Sequence, residues 1–385
     1  MSTGSVENLL GRLAETYADR EISDVQVRSG ALIYLHTNRG LEIAEPYGPQ
    51  DAAAVTAFAE GLFACQTLEV WDDPRKAADG AEKMWEQLRA SRVIDFSCDA
   101  GALGSPVRMR VQVHLSDQGM GVTCRWLRSR VSQLESLGID PMISESLREL
   151  MQRRFGLGLI TGPTGSGKST TLAAILDWVR RNFHKHIVTV EDPIEYRYDT
   201  TMEDPNRPGV LIPCPSLVTQ QEVGRHTLSY QSGLKEVLRK TPHIILLGEI
   251  RDRETMETCI EAAQTGHFVL STLHTRGAVK TIDRILEFFP KDQQHGVLHR
   301  LGETLTFVLS QGLLTGFNGR VLVTEYLQNT SEAVSSGIRA YDGSATSLED
   351  ALRCKGNTRW NQSLMNLYRE GKISEEVFNA NMLGS

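Results

Sequence analysis

The sequence predicts a two-domain α/β protein whose larger, C-terminal domain is a parallel sheet flanked by helices. Three observations lead there. From Gly156 onward, short apolar strands alternate with helical segments, the pattern of repeated strand–helix–strand units. A glycine-rich loop, Gly162–Ser169, stands between one such strand and helix. The chain has 385 residues, more than a single hydrophobic core of about 250–300 residues accommodates.

The elements follow in order. Leu9, Leu10, Leu13 and Tyr17 fall on one face of a first helix. A strand signal opens at Asp24–Gln26 and runs to Leu35, with Gly30 marking a turn. Ala52–Phe63 is apolar at helical spacing. Arg108–His114 alternates, Met109, Val111 and Val113 to one side and Arg108, Arg110, Gln112 and His114 to the other, as a half-buried strand does. Leu127–Asp140 is polar and contains Gly138. The expected division is a first domain over 1–130, a linker over 131–147 and a second domain over 148–385. Pro141 suits the start of the next helical region. The second domain should hold strands Leu157–Thr161, Ile187–Val190, Ile244–Leu247 and Phe268–Leu273, with helices from Lys168 and over Glu254–Thr265. From Trp360 the chain reads as helical, with Leu364, Leu367, Tyr368 and Ile373 as its apolar side.

Composition narrows the class. Apolar residues make up 40% and charged residues 23%, a globular mix. A formal net charge of −7 gives no chain-wide basic field for nucleic acid or anionic lipid, although a local patch stays open. The cysteines Cys65, Cys98, Cys124, Cys214, Cys259 and Cys354 form no CxxC pair and no zinc spacing. They suit buried thiols in a reducing compartment. The start MSTGSVENLLGRLAE lacks the basic end and apolar core of a signal peptide. No apolar run reaches the ~18 residues of a membrane span. The expectation is a cytoplasmic protein with, at most, peripheral membrane contact.

Four motifs carry chemistry. Gly162-Pro163-Thr164-Gly165-Ser166-Gly167-Lys168-Ser169 fits GxxxxGK[ST] in full, between an apolar strand and a helix. Its glycines let backbone amides curl around phosphates, and the helix start adds a favourable dipole. Lys168 should reach the β and γ phosphates, Ser169 should ligate Mg²⁺, and Thr170 is counted with the nucleotide-binding residues. ATP and Mg²⁺ are the expected cofactors. Second, Ile244–Leu247 leads into Gly248-Glu249-Ile250-Arg251-Asp252. An acid at the carboxyl edge of a parallel strand lies where ligands bind, so Glu249 is expected to orient or activate water. The plainer alternative is a cap on the next helix. A standard Walker B motif has Asp where Gly248 stands, which removes one carboxylate from the metal. Third, Val188–Glu195 places Glu191 and Asp192 at another strand end. Glu191 is a second catalytic candidate and Asp192 a candidate holder of Mg²⁺ or its water; Asp192-Pro193 also suits a simple turn. Fourth, His267 and His274 bracket a strand. His274 could sense the γ-phosphate, or be structural. Arg110 and Arg125 are surface charges unless they complete a neighbouring subunit's ATP site.

The order of these motifs over Gly156–Pro290 resembles the PilT-type secretion ATPases of type II secretion, type IV pili and type IV secretion. Their pattern is a Walker A, an Asp box, an atypical Walker B reading GE[MI]RD and a His box. This chain has GPTGSGKS, TVEDPIEY, LLGEIRD and GHFVLSTLHT. Thr219–Arg225 and Ile282–Pro290 also resemble family segments, and Gly248 is the family's own form. Ser23-Asp24, Asp95–Ser97 and Arg108–Val111 resemble strands of its N-terminal domain. The resemblance implies a PAS-like α/β N-terminal domain and a RecA-like P-loop ATPase domain with a helical C-terminal part. It further implies a homohexamer in which Arg110 and Arg125 are inter-subunit arginines. The partners implied are membrane-associated secretion-apparatus components at the inner membrane, with no sequence-specific nucleic acid. The lack of a four-cysteine module, Gln221–His226, Tyr196–Val218 and the tail after Val321 look most like ATPases of type IVB secretion (Dot/Icm) and IncI-type conjugation. Two features depart from the pattern: Gly312 where SQRL has arginine, and the proline-containing insert Thr200–Leu217. The alternatives are a nucleic-acid translocase or helicase on a RecA-like core, which needs a basic channel or stacking aromatics, and a non-hydrolysing adaptor ring subunit.

Overall fold

The computed structural model describes residues 3–383 apart from 18, 21, 38, 46, 66–73, 103–104, 128–130 and 344–345. The chain folds as two compact units, Met1–Arg130 and Val131–Ser385.

The first unit runs α1 (Thr3–Thr16), β1 (Asp24–Arg28), β2 (Tyr34–Thr37), β3 (Gly40–Ile43), α2 (Ala52–Ala64), α3 (Pro74–Ser91), β4 (Val93–Ala102), β5 (Ser105–Ser116) and β6 (Gly119–Trp126). The strands form one antiparallel sheet in the order β3-β2-β1-β6-β5-β4. Strand alternation puts Val25, Val27, Leu35, Val111, Val113 and Val122 on one buried face, packed with Leu10 and Leu13 of α1, Val55, Phe58 and Leu62 of α2 and Met84 and Leu88 of α3. The opposite, polar face was expected to carry Arg108. Instead Arg108 is buried, donating to Asp99 Oδ2 (3.2 Å) and Ser97 Oγ (2.8 Å). A buried guanidinium is tolerated because it is paired and hydrogen-bonded.

The second unit runs α4 (Pro141–Leu150), β7 (Gly156–Thr161), α5 (Lys168–Asn182), β8 (His186–Glu191), β9 (Thr201–Asp204), β10 (Arg207–Pro213), β11 (Leu217–Glu222), α6 (Tyr230–Val237), β12 (Ile244–Leu247), α7 (Arg253–Gln264), β13 (Phe268–Leu273), α8 (Ala278–Glu287), α9 (Lys291–Thr304), β14 (Leu305–Gly316), β15 (Gly319–Gln328), α10 (Glu332–Arg339), α11 (Thr346–Ala351), α12 (Trp360–Arg369) and α13 (Glu375–Asn381). Seven strands form one sheet, β11-β8-β12-β13-β7-β14-β15, parallel except for the last pairing. Every residue of β7, β12 and β13 is buried, as a parallel sheet covered on both faces requires. One face packs Val188, Val190, Ile245, Leu247 and Val269 with Leu234 of α6, Met256 and Ile260 of α7 and Ile282 of α8. The other packs Ile160, Ile187, Ile244, Leu246 and Leu270 with Ile143 and Leu147 of α4 and Leu172 and Ile175 of α5.

That second cluster corrects the expected linker. Residues 131–147 hold a 3-10 turn at Leu134–Leu137 and most of α4, and Leu134, Ile139, Ile143 and Leu147 are buried in the core. The apolar residues recur within a polar stretch, which masked their shared face. Residues 128–130, within the polar run Leu127–Asp140, lie outside the described residues. The insert Thr200–Leu217 becomes a separate antiparallel hairpin, β9-β10, with β10 largely exposed. Arg180 of α5 anchors its base. It is buried against Asp177 and donates to Asp199 O and to Cys214 Sγ.

The C-terminal helices close over β14 and β15. Trp360, Leu364, Leu367 and Ile373 pack with Leu314 and Val323. Tyr368, expected on that apolar side, is instead partly exposed and stacks on Phe378 of α13 at 5.0 Å. The departure at Gly312 has a steric cause. A Cβ there would stand 2.8 Å from Cη2 of Trp360, which fills the space an arginine would need. Gly312→Ala should therefore overpack this corner at a cost of about 1–3 kcal/mol. Thermal melting should show most of that cost vanish in a Trp360→Leu background, and additive losses would contradict the contact.

Candidate nucleotide site

Parallel strands end together, so β7, β8, β12 and β13 deliver their following residues to one sheet edge. The glycine-rich loop leaves β7 there. Gly162, Gly165 and Gly167 have φ of 143°, 78° and 87°, values open to glycine and poor for side chains. Gly162 is doubly constrained, because a Cβ would stand 2.2 Å from Gln311 O of β14. The Gln311 side chain holds the loop from the same side, donating from Nε2 to Ser166 O at 2.7 Å. Ser166 Oγ is buried without a partner among the described residues. Lys168 begins α5 and donates to Gly162 O (2.9 Å) and Pro163 O (3.0 Å). Burial pushes its pKa down, while Glu249 and Glu195 pull it back. Ser169 is exposed at the head of α5, as are Pro163, Thr164 and Gly165, and Thr170 Oγ1 lies 2.9 Å from the Tyr196 hydroxyl.

Glu249 follows β12 with only 16% of its side chain exposed. Arg251 pairs with its Oε1, and His274 Nε2 lies 3.4 Å from Oε2. The hydrogen bond to Glu249 raises the Arg251 pKa. Glu249 is not a helix cap: α7 is capped by Asp252, whose side chain accepts from Thr255 N at 2.8 Å. The two histidines part company. His274 reaches the carboxyl edge beside Glu249, whereas His267 stays at the opposite end of β13, its Nδ1 3.2 Å from Ala262 O.

Glu191 ends β8, with Oε1 accepting from Thr189 Oγ1 (2.6 Å) and Gln220 Nε2 (3.1 Å). Asp192 is exposed on the loop that follows. That loop is pinned by β11, since Glu222 Oε2 accepts from Ile194 N at 3.0 Å and Gln220 Nε2 donates to Tyr196 O at 2.8 Å. In the first unit, Arg110 and Arg125 are directly opposed on β5 and β6. Arg125 donates to Asp24 at 2.8 Å and Arg110 lies 3.9 Å from Asp95, with 61% and 44% of the two arginine side chains exposed. Exposed pairs of this kind are worth about 0–1 kcal/mol.

Sequence reasoning did not single out Gln311, Arg251, Glu195 or Tyr230. Arg251 and Glu195 lay inside recognised motifs. Gln311 is far along the chain and becomes visible only when β14 lies beside the loop.

Among the described residues, no group of three or more His, Cys, Asp or Glu is arranged to hold a metal. The cradle fits a cation carried in by the nucleotide: one hydroxyl, Ser169, at the helix start and acids at the neighbouring strand ends. Mg²⁺ commonly takes few protein ligands and completes its shell with phosphate and water.

Residues 102–375 match the family described as type II/IV secretion system protein. A twitching motility protein of Neisseria gonorrhoeae is 38% identical over 304 residues, 78% of this chain and 74% of that one. The type IV pilus retraction ATPase PilT of Pseudomonas aeruginosa is 35% identical over 285 residues, 73% and 76% of the two chains. The crystal structure of the pilus retraction motor PilT with bound ADP aligns with a TM-score of 0.79 at 30% identity, covering 97% of each chain. The Legionella pneumophila ATPase DotB aligns with a TM-score of 0.76 at 24% identity, over 99% of this chain and 95% of that one, and shares the fold. With a glycine-rich loop seated at the sheet edge and these matches over most of its length, the chain belongs to the type II/IV secretion family and is an ATP hydrolase of the secretion and pilus class.

Proposed function

We propose that this ATPase is a hexameric, Mg²⁺-dependent motor that drives a type IV pilus or type IV secretion apparatus from the cytoplasmic side of a bacterial inner membrane. The observation that carries the chemistry is Glu249, a largely buried carboxylate at the sheet edge, held between Arg251 and His274 and close enough to Lys168 to act on its charge. Loop amides from Gly162 to Ser169 and the α5 N-terminus surround the phosphates, and Lys168 spreads the charge of the β and γ groups. Ser169, with Asp192 through water, would hold Mg²⁺, which supplies Lewis-acid charge neutralisation at the transferring phosphoryl group. Glu249 aligns the attacking water and takes its proton as the bond to the ADP oxygen breaks. Arg251 fixes one carboxylate oxygen, so the other can report to His274 whether a γ-phosphate is present. Glu191 is the second choice as base, since Thr189 and Gln220 occupy one of its oxygens. Arg110 and Arg125 would act on a neighbouring subunit's nucleotide, which is why a ring is part of the reading.

Among the described residues no helix is long and apolar enough to cross a membrane, so recruitment would go through membrane-associated partners. The relatives above favour filament retraction. The Gln221–His226 stretch keeps a second reading, type IVB secretion or IncI-type conjugation. A deletion strain separates them: loss of twitching with excess surface pili supports the first, and loss of DNA or protein transfer with normal pili supports the second.

Steady-state hydrolysis across a protein concentration series tests the motor. Turnover per subunit should rise as subunits assemble, Glu249→Gln should fall about 10²–10⁴-fold, the range of a lost general base, and Lys168→Ala should lose turnover as well because the phosphate charge is left unmatched. Activity flat with concentration would sink the ring, and activity surviving Glu249→Gln would shift the base to Glu191 or favour an adaptor. Strong stimulation by DNA would favour the translocase. Gln311→Ala should weaken binding of a fluorescent ATP analogue roughly threefold to tenfold, because one hydrogen bond to the loop is lost; unchanged affinity would show that the Gln311 side chain does not shape the loop.

A further inference from the structure

The atypical strand-end motif leaves Gly248 where a Walker B acid would stand, and the structure shows what fills that place. A Cβ built on Gly248 lies 2.9 Å from the Tyr230 hydroxyl, 3.3 Å from its Cε1 and 3.4 Å from Val190 O. Tyr230 is the first residue of α6, fixed there by the Ser229–Ser232 capping box, and its ring packs against the core under the sheet. We infer that the Tyr230 hydroxyl takes over the hydrogen-bonding part of the missing acid, as a positioning residue for the water shell of nucleotide-borne Mg²⁺. This rests on the nucleotide-site reading above.

The surroundings fit that role. Burial, joined by the carboxylates Asp192, Glu249 and Glu191, pushes the pKa of the hydroxyl well above its ordinary value, and the Arg251 guanidinium offsets only part of that rise. The group therefore stays a neutral O–H, able to donate to a carboxylate or to accept from and orient a water. A neutral hydroxyl brings no negative charge, so charge balance at the metal falls to the Asp192 and Glu191 loop. The division of labour is specific. One strand end supplies charge, and α6 supplies a directional hydrogen bond at the neighbouring strand end. A phenylalanine at 230 would keep the packing and lose only that bond.

The test compares wild type, Tyr230→Phe and Gly248→Ala by binding of a fluorescent ATP analogue, titrated with Mg²⁺ and repeated in EDTA, alongside steady-state kinetics and thermal melting. Tyr230→Phe should leave metal-free nucleotide affinity unchanged and raise the Mg²⁺ concentration for half-maximal binding about threefold to tenfold, the factor one hydrogen bond carries. Its kcat should fall more than its KM changes. Gly248→Ala, whose methyl displaces the hydroxyl, should shift the Mg²⁺ midpoint the same way, and the double variant should shift it no further. A Tyr230→Phe midpoint within twofold of wild type overturns the inference, even if melting temperature or kcat drops, because that pattern means packing alone. Lys168→Ala and Glu249→Gln run beside it. If those two behave like wild type, the site reading itself fails. If they lose activity while Tyr230→Phe does not shift, only the Tyr230 role fails.

Discussion

The approach of the glycine-rich loop to β14 is the constraint around which the second unit is arranged. Gly162 lies so close to Gln311 O that no side chain fits between them, and the Gln311 amide reaches over to Ser166 O. For that to hold, β14 must sit beside β7 in register, with Phe307 opposite Gly158 and Ser310 opposite Thr161. β14 in turn is held by a long antiparallel pairing with β15, from Phe307–Gln328 to Gly316–Gly319. Trp360 then locks the outer side by occupying the volume above Gly312. A phosphate-binding loop eight residues long thus depends on a strand almost 150 positions later.

The electrostatic arrangement follows from the same geometry. A chain of net charge −7 must concentrate positive character locally to accept a polyphosphate. It does so with fixed dipoles, the turned-in amides and the start of α5, and with one partly desolvated ammonium, Lys168. Burial works against the charge on Lys168, and Glu249 and Glu195 restore it. The same acids would repel phosphate if they were unbalanced. Arg251 on Glu249 offsets part of that repulsion.

Much of this was legible in the chain. Strand ends at Leu247 and Leu273 and the loop at Gly162–Ser169 were readable, because short apolar runs beside glycines leave few options. The Arg108 ion pair was not. Alternation assigns a face but cannot say which polar residues on it are covered by neighbours. The core role of 131–147 was hidden for a related reason, since four apolar residues scattered among charges look like a tether until α5 supplies their partners. Gln311 and Tyr230 were invisible, because both lie in space beside residues distant in sequence. The Asp252 cap removed one of the two readings of Glu249 that the sequence left open, the helix cap.

Glu325 shows a consequence of a different kind. Its two oxygens serve two helix starts at once: Oε1 accepts from Ala278 N of α8 at 2.6 Å, and Oε2 accepts from Trp360 N of α12 at 3.2 Å. Arg276, two residues beyond His274, lies over the Trp360 ring at 4.4 Å. The loop after β13 therefore has its final supports only once residues near 360 exist. During synthesis at about 5–20 residues per second, the ribosome emits Lys168 roughly 190 positions before those supports. The nucleotide pocket is among the last parts of the chain to be finished, so a nascent chain can carry the whole phosphate-binding sequence for many seconds without a shaped site to bind with.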